Sequence, residues 1–287
     1  MHAVAEAARN VAASGARPIA ATNCLNFGSP EKPEVMWQFT ETIDGLGEAC
    51  TALGTPITGG NVSFYNETLG KSIYPTPVIG ILGILDDASK VLKIAFRNQG
   101  DVILLVDAAA GKEMASVEWA SKEFSSSEYA KAMAGIVAGE PPAIDLAAEK
   151  RLQDCLVALA AAGAVNSAHD ISDGGLAVAL AESCFSPVGA QHVRPRLAAN
   201  VTIESTFPAE FALFHESGAR AIVSVSPEKL AAVLATARQY SVGAQQIGSV
   251  TSDNRFRIQY NGHVAVSSDV RVLLDIWANS LEQALRR

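Results

Sequence analysis

Apolar positions along the chain follow two spacings, and these predict an alternation of helices and strands. Apolar residues three or four positions apart are typical of a helix that buries one face, whereas short unbroken apolar runs are typical of buried strands. The helical spacing predicts helices over 2–14, 34–53, 146–162, 176–184, 228–239 and 271–285. The apolar runs predict strands over 18–22, 55–58, 74–85, 91–96, 102–106, 165–168, 219–225, 244–250 and 256–260. Alternating helices and strands with short connections indicate an α/β or α+β sheet covered by helices.

The alternation is interrupted near Asn98-Gln99-Gly100, where a polar turn precedes a new apolar strand. A chain of 287 residues is long enough for one large domain or two ordinary ones. We therefore predict a first domain over residues 1–98 and a second domain over residues 99–287.

One stretch of the first domain, 57–67, reads ITGGNVSFYNE and carries polar side chains just after the end of a predicted strand. Its two glycines permit a left-handed backbone, and successive N–H groups in such a turn can hold a phosphate. The amide oxygen of Asn61 suits Mg²⁺, which prefers oxygen ligands. The stretch therefore predicts a nucleotide–metal site. The alternative is an ordinary turn at the end of a strand, because glycine and asparagine are common there.

Two further runs of polar residues and glycines lie before and after this stretch in the sequence. Residues 21–34 read ATNCLNFGSPEKPE, which predicts a polar loop from Asn23 onward, and residues 168–176 read AHDISDGGL. With GGNVSFYNE, these runs resemble the C-terminal half of the synthase subunit of phosphoribosylformylglycinamidine synthase, over essentially the whole chain. The resemblance implies an aminoimidazole-ribonucleotide-synthetase-like fold, with a ferredoxin-like A-type domain followed by an α/β B-type domain. The chain would begin inside the A-type domain and be a fragment of a longer protein.

The resemblance also implies roles for single residues. By comparison with the family, Asn23 and Gly60 contact ATP, Asn61 binds Mg²⁺, and Ser63 touches the substrate formylglycinamide ribonucleotide. The family often has aspartate at the position of Asn23, and an amide brings no charge to a metal, so a metal role for Asn23 is not expected.

The glycine-rich run near residue 170 would belong to a second, pseudo-symmetric copy of the family's active-site turn. Asp170, Asp173, Gly174 and Gly175 are therefore expected to form an auxiliary nucleotide site or a structural turn. Anion binding there would use the partial positive charge of a helix N-terminus. No catalytic residue is predicted in this chain.

The implied reaction is that of an ATP-dependent C–N ligase of purine biosynthesis. ATP activates the amide oxygen of formylglycinamide ribonucleotide, and ammonia from glutamine then displaces phosphate to give the amidine. The implied partners are the N-terminal half of the synthase, a glutaminase subunit and a small bridging subunit. The chain alone is expected to be inactive. Two alternatives are another ATP-dependent synthetase of the same superfamily, and a non-catalytic scaffold half that holds a structural nucleotide.

Composition narrows the choice of partner. The net charge of −8 argues against a nucleic-acid partner, whose phosphates would require a basic face. No apolar run approaches the roughly 18 residues of a membrane helix, and no signal peptide is visible, so a cytoplasmic location is expected. The four cysteines form no metal-finger spacing and are predicted to be free thiols.

Overall fold

The computed structural model describes residues 1–109, 117–185 and 197–286; parts of the second predicted domain lie outside this description. Its helices are α1 His2–Ala13, α2 Pro33–Leu53, α3 Val117–Phe124, α4 Glu128–Ala134, α5 Leu146–Ala161, α6 Gly175–Ser183, α7 Ala209–Phe214, α8 Leu230–Gln239 and α9 Val270–Leu285. Its strands are β1 Arg17–Asn26, β2 Ile57–Ser63, β3 Glu67–Thr68, β4 Lys71–Ser72, β5 Thr76–Ile84, β6 Val102–Asp107, β7 Ser167–Asp170, β8 Ala198–Ile203, β9 Arg220–Val225, β10 Gly243–Thr251, β11 Arg255–Tyr260 and β12 His263–Asp269.

The first sheet contains three strands in the order β2-β1-β5. Strand β1 runs parallel to β2 and antiparallel to β5. Helices α1 and α2 cover one face, where Val4, Leu25, Phe27 and Leu46 are buried. Strand β3 pairs only with β4 to form a small hairpin between β2 and β5. The first sheet is thus a one-sided layer, with β2 at its edge.

The second sheet contains seven strands in the order β12-β11-β8-β10-β6-β9-β7. Alternate residues of β6 face two different cores: Val102, Leu104 and Val106 pack with α5, while Ile103 packs with α6. A strand buried on both faces has little room for polar residues. This explains why β6 is an almost unbroken apolar run in the sequence.

Helix α1 packs against both sheets. Its Val4 and Ala8 belong to the core beneath the first sheet, and its Ala12 and Ala13 belong to the core shared with α5 and β6. The alanine-rich sequence of α1 keeps both contacts close, because alanine side chains are small. The polar residues of α1 that face the second sheet therefore lie between the two layers.

Several predicted elements need correction. Strand β1 continues to Asn26, so Asn23 to Asn26 do not form the predicted loop, and β2 runs through the predicted Gly59-Gly60 turn. Tertiary pairing has overridden local turn preference, because each strand satisfies the backbone groups of the other. The predicted strand 91–96 is irregular. Its backbone N–H groups bond to the ends of helices, with Leu92 donating to Ser14 and Phe96 to Ser183.

Within the described part of the chain, no helix combines the length and the apolar character that crossing a membrane requires.

Candidate nucleotide and substrate site

Four of the predicted site residues lie on two neighbouring parallel strands. In the register of β1 and β2, Asn23 is opposite Gly60, and Ser63 is opposite Asn26. Asn61 is opposite Cys24 on the same strand pair. The carboxyl ends of parallel strands meet at the same edge of a sheet, so the two sequence runs, about 30 residues apart, lie side by side there.

Gly60 makes room for a side chain rather than forming a turn. A Cβ atom at position 60 would lie 2.1 Å from Oδ1 of Asn23, whereas a Cβ at Gly59 would meet nothing within 4 Å. Neither glycine is among the described residues with positive φ. The predicted phosphate-holding turn is therefore wrong. In its place is a strand whose missing side chain accommodates the Asn23 amide.

Asn61 and Ser63 lie on the opposite face of the sheet from Asn23. Side chains alternate along a strand, which places positions 61 and 63 on one face and position 60 on the other. In agreement, Nδ2 of Asn61 points to Sγ of the cross-strand Cys24 at 3.6 Å. Positions 23 and 25 share a face of β1, and Leu25 is buried beneath α1 and α2, so Asn23 lies on the face that the helices cover and Asn61 and Ser63 lie on the open face.

The Asn61 side chain can supply one oxygen to a cation. Its nitrogen is directed to Cys24, which turns Oδ1 away from that thiol. No cluster of three or more histidine, cysteine or carboxylate side chains suited to a metal occurs within residues 1–109, 117–185 and 197–286. Mg²⁺ commonly retains waters and binds substrate phosphates in addition to one or two protein oxygens. The residues present fit such a partial site.

Lys32 is committed to an ion pair near this edge. Its ammonium lies 2.5 Å from Oε1 of Glu67 and 3.3 Å from the hydroxyl of Ser72. The same carboxylate accepts from the Ser29 backbone and from Ser72. The hydrogen bonds from Lys32 and Ser72 lower the pKa of Glu67. These contacts hold the β3–β4 hairpin to the start of α2, and the charge of Lys32 is already balanced there.

The predicted auxiliary site lies at the end of β7 and the start of α6. Asp170 is buried, with His169 Nδ1 3.2 Å from its carboxylate and Arg9 Nε at 3.8 Å. Asp173 is exposed and lines a cavity of about 540 Å³ beside α1. Gly174 and Gly175 both have positive φ, at 75° and 67°. The two aspartates thus occupy different environments.

The N-terminus of α6 already holds a carboxylate of the chain itself. Oε1 of Glu216 accepts from the backbone N–H of Gly174 at 2.8 Å and from that of Glu128 at 2.9 Å. Burial, followed by the neighbouring Asp173, raises the pKa of Glu216. Glu6 lines the same cavity, and burial raises its pKa as well. An acidic cavity whose helix N-terminus is occupied by glutamate does not favour an unaccompanied phosphate.

The charged residues that join α1 to α5 and to the end of β7 were not predicted from the sequence. Arg9 donates to the Glu149 carboxylate, and both side chains are buried. Arg9 also donates to the carbonyl of Ile171 at 3.3 Å. The two partners are 140 positions apart, so no local pattern marks them as a pair. A polar residue within an alanine-rich helix was the one available signal.

His169 should make the stability of the protein depend on pH. Although burial alone would lower its pKa, hydrogen bonds to Asp170 and Glu182 raise it to about 9, against 6.5 when unperturbed. A raised pKa in the folded state adds stability below pH 6.5, and this stability is lost as the pH rises through 9. We expect the free energy of unfolding to fall by roughly 2–3 kcal/mol over that window.

Urea unfolding from pH 6 to 10 measures this dependence. His169→Gln should flatten the pH dependence in that window, whereas His263→Gln, at an exposed position of β12, should leave it as in the wild type. Equal pH profiles for the wild type and His169→Gln would contradict the expectation.

Comparisons with known proteins agree with this architecture. Residues 1–85 match the N-terminal domain of AIR synthase related proteins, and residues 98–261 match the C-terminal domain. The chain belongs to the AIR synthase related protein family. Within it, the whole chain is similar to phosphoribosylformylglycinamidine synthase subunit PurL. It is 45% identical to the protein of Anaeromyxobacter sp. strain Fw109-5 over 289 residues. It is 41% identical to that of Thermoanaerobacter sp. strain X514 over 285 residues.

The chain spans 36% of the length of these relatives. Among solved structures, it is similar to Thermotoga maritima PurL complexed with FGAR, with a TM-score of 0.69 and 21% identity over 94% of this chain and 42% of that one. It is also similar to PurL of the same organism complexed with ATP, with a TM-score of 0.67 and 21% identity over 95% of this chain and 40% of that one. The predicted family and fold class are confirmed. The domain boundary at 98/99 and the position of the chain in the second half stay predictions.

Proposed function

We propose that the chain is the part of an ATP-dependent phosphoribosylformylglycinamidine synthase that holds ATP, Mg²⁺ and formylglycinamide ribonucleotide at the β1–β2 edge. One observation carries the proposal: the register of these strands gathers Asn23, Gly60, Asn61 and Ser63 from two separate sequence runs. The 41–45% identity to named synthase subunits supports it. Two similar solved structures are complexes of PurL with ATP and with FGAR.

The proposed chemistry assigns a separate task to each face of the sheet. Asn23, whose amide occupies the space that Gly60 leaves, binds the nucleotide. Asn61 offers one amide oxygen to Mg²⁺, which when bound neutralises phosphate charge. Ser63 binds the formylglycinamide ribonucleotide. The phosphoryl group passes from ATP to the glycinamide carbonyl oxygen, ammonia attacks the carbon that bears this oxygen, and phosphate leaves to give the amidine, while the formyl group is retained. Residues outside this chain complete the site.

The partners follow from the length of the relatives. The chain covers about a third of a synthase subunit, so the remaining part of that subunit is its first proposed partner. A similar solved structure is that of PurLQS from Thermotoga maritima, whose name indicates further subunits beside PurL. We propose a glutaminase subunit that supplies ammonia, and a small bridging subunit. We also propose a cytoplasmic location, where purine synthesis would supply the substrates.

Matched glycine variants test the nucleotide site by calorimetric titration with Mg²⁺–ATP. The titration uses the complete synthase, meaning this chain joined to the rest of the subunit, and the chain alone for comparison. Gly60→Ala should weaken ATP binding at least tenfold, because the new Cβ displaces the Asn23 amide. Gly59→Ala should bind as the wild type, because its Cβ meets nothing.

Asn61 variants test the metal site through the Mg²⁺ dependence of the activity of the complete synthase. Asn61→Ala should raise the Mg²⁺ concentration needed for half-maximal activity. Asn61→Asp should need about the same Mg²⁺ concentration as the wild type, because it keeps an oxygen ligand. Equal ATP binding by both glycine variants, together with an unchanged Mg²⁺ requirement in Asn61→Ala, would overturn the proposed site.

A further inference from the structure

Asn66 belongs to the same stretch as Asn61 and Ser63, yet the proposed function assigns it no ligand. Its side-chain nitrogen donates to the carbonyl of Phe27 at 3.0 Å, to the carbonyl of Ser63 at 3.0 Å and to Oγ of Ser63 at 3.1 Å. Its backbone N–H donates to the same Phe27 carbonyl at 3.1 Å. Asn66 therefore ties together the chain at the ends of β1 and β2, next to the Ser63 hydroxyl.

The turn after β2 fixes where the Asn66 amide lies. Tyr65 has a φ of 59°, in the left-handed region that residues other than glycine seldom adopt. The Tyr65 N–H donates to Gly28, and the Ile73 N–H donates to Asn66, both at 3.0 Å. A backbone conformation of this kind persists where surrounding contacts hold it. The position of the amide beside Ser63 is thus imposed by the fold.

The contacts also set the direction of the Ser63 hydroxyl. A hydroxyl has one proton to donate and two lone pairs. The Asn66 nitrogen can only donate; it has two protons for three acceptors, and at 3.1 Å it shares one of them with a lone pair of Oγ. The hydroxyl's own donation, to Oδ1 of Asn66, is the longer contact at 3.4 Å. The hydroxyl is thus held more closely through its lone pair than through its proton, and the proton can turn from this long contact to an acceptor on a bound molecule.

We propose that Asn66 is a positioning residue that presents the Ser63 hydroxyl as a hydrogen-bond donor. The substrate group that contacts Ser63 is then an acceptor, such as a carbonyl or phosphate oxygen. This inference rests on the proposed function, in which Ser63 touches formylglycinamide ribonucleotide.

Steady-state kinetics of the complete synthase test the proposal. Asn66→Asp is nearly isosteric, but its carboxylate accepts without donating and draws the Ser63 proton inward. Asn66→Asp and Asn66→Ala should each raise KM for formylglycinamide ribonucleotide by roughly five- to tenfold while KM for ATP stays unchanged. Ser63→Ala should have a similar effect. The double variant Ser63→Ala/Asn66→Asp should be no worse than Ser63→Ala alone, because Asn66 acts through Ser63.

The outcomes separate this inference from the proposed function. If Ser63→Ala leaves KM unchanged, the substrate role of Ser63 is wrong and the inference falls with it. If Ser63→Ala raises KM but neither Asn66 variant does, or if the two effects multiply in the double variant, the inference alone is wrong. Two substitutions at Asn66 are used because the amide also supports the turn, and one folded variant suffices for the comparison.

Glu67→Gln serves as the structural control. Glu67 stabilises the same hairpin through Lys32 and Ser72, and its hydrogen bonds do not involve the Ser63 hydroxyl. We expect a lower thermal midpoint with an unchanged KM for the substrate. A rise of KM equal to that of the Asn66 variants would show that general loosening of the hairpin explains the effect, and would overturn the positioning role.

Discussion

Arg9→Met is expected to lower the free energy of unfolding by about 3–5 kcal/mol, because it leaves buried carboxylates without their counter-charge. Arg9 is only 4% exposed, and it donates to Glu149, which is 1% exposed. Its Nε also lies 3.8 Å from the buried Asp170. Methionine keeps the aliphatic bulk of arginine, so the loss reports the charge. Urea denaturation monitored by circular dichroism measures it.

Two further variants define the origin of that loss. Arg17→Met, at an exposed position of β1, should change stability by less than about 0.5 kcal/mol. Adding Glu149→Gln to Arg9→Met should recover part of the lost unfolding free energy. Removing both charges costs less than leaving one buried charge unpaired. A loss no larger for Arg9→Met than for Arg17→Met would show that the cluster contributes little.

The second large effect is expected for Gly175→Ala at the start of α6. The backbone there has a φ of 67°, and a Cβ would lie 2.7 Å from the carbonyl carbon of Phe214 and 3.0 Å from the oxygen of His215. Both are backbone atoms, so relief requires moving α6 away from the end of α7. The left-handed strain and the clash together predict a loss of roughly 2–4 kcal/mol.

Gly262→Ala is the matched control. Gly262 has a φ of 79°, and a Cβ there would meet nothing within 4 Å, so it reports the cost of the backbone conformation alone. We expect about 1–2 kcal/mol for this variant in thermal or urea unfolding. If both variants lose the same amount, the close approach between α6 and the chain at Phe214 is not what requires glycine.

The Arg9 cluster also matters for the site, because it fixes α1 between the two sheets. Val4 and Ala8 of the same helix pack beneath β1, the strand that carries Asn23. A shift of α1 is therefore transmitted to the strand pair that holds the proposed nucleotide contacts. In Arg9→Met, ATP binding by the complete synthase should weaken under conditions where the protein is still folded.

Local patterns in the sequence predicted most elements that are long and strongly patterned. Helices α2 and α5 and strand β6 begin and end within a few residues of their predicted bounds. The spacing of their apolar residues indicates burial directly, because one face of each helix and both faces of the strand are removed from water on folding. Strand β8, which lies between β10 and β11, was not predicted. Its exposed polar residues Asn200 and Thr202 alternate with buried ones, so β8 contains no unbroken apolar run.

For the candidate site, the sequence indicated the two runs but not their geometry. The residue types at 23, 60, 61 and 63 indicated nucleotide, metal and substrate chemistry. They did not show that Gly60 lies in a strand facing Asn23, or that Asn61 and Ser63 lie on the other face. A Gly-Gly-Asn run by itself favours a turn. Here it is part of a strand because it pairs with a parallel strand about 35 residues away in the sequence.

The sequence by itself determined the family, the fold class, and which residue types are available for chemistry. Tertiary structure decided which of them meet: Asn66 beside the Ser63 hydroxyl, Glu216 on the N-terminus of α6, and Arg9 against Glu149 across 140 positions. The physical reason is the distance along the sequence over which each kind of interaction acts. Hydrophobic spacing and turn preference act within a few residues, whereas hydrogen bonds and buried charges are satisfied between any groups that folding brings within about 3 Å.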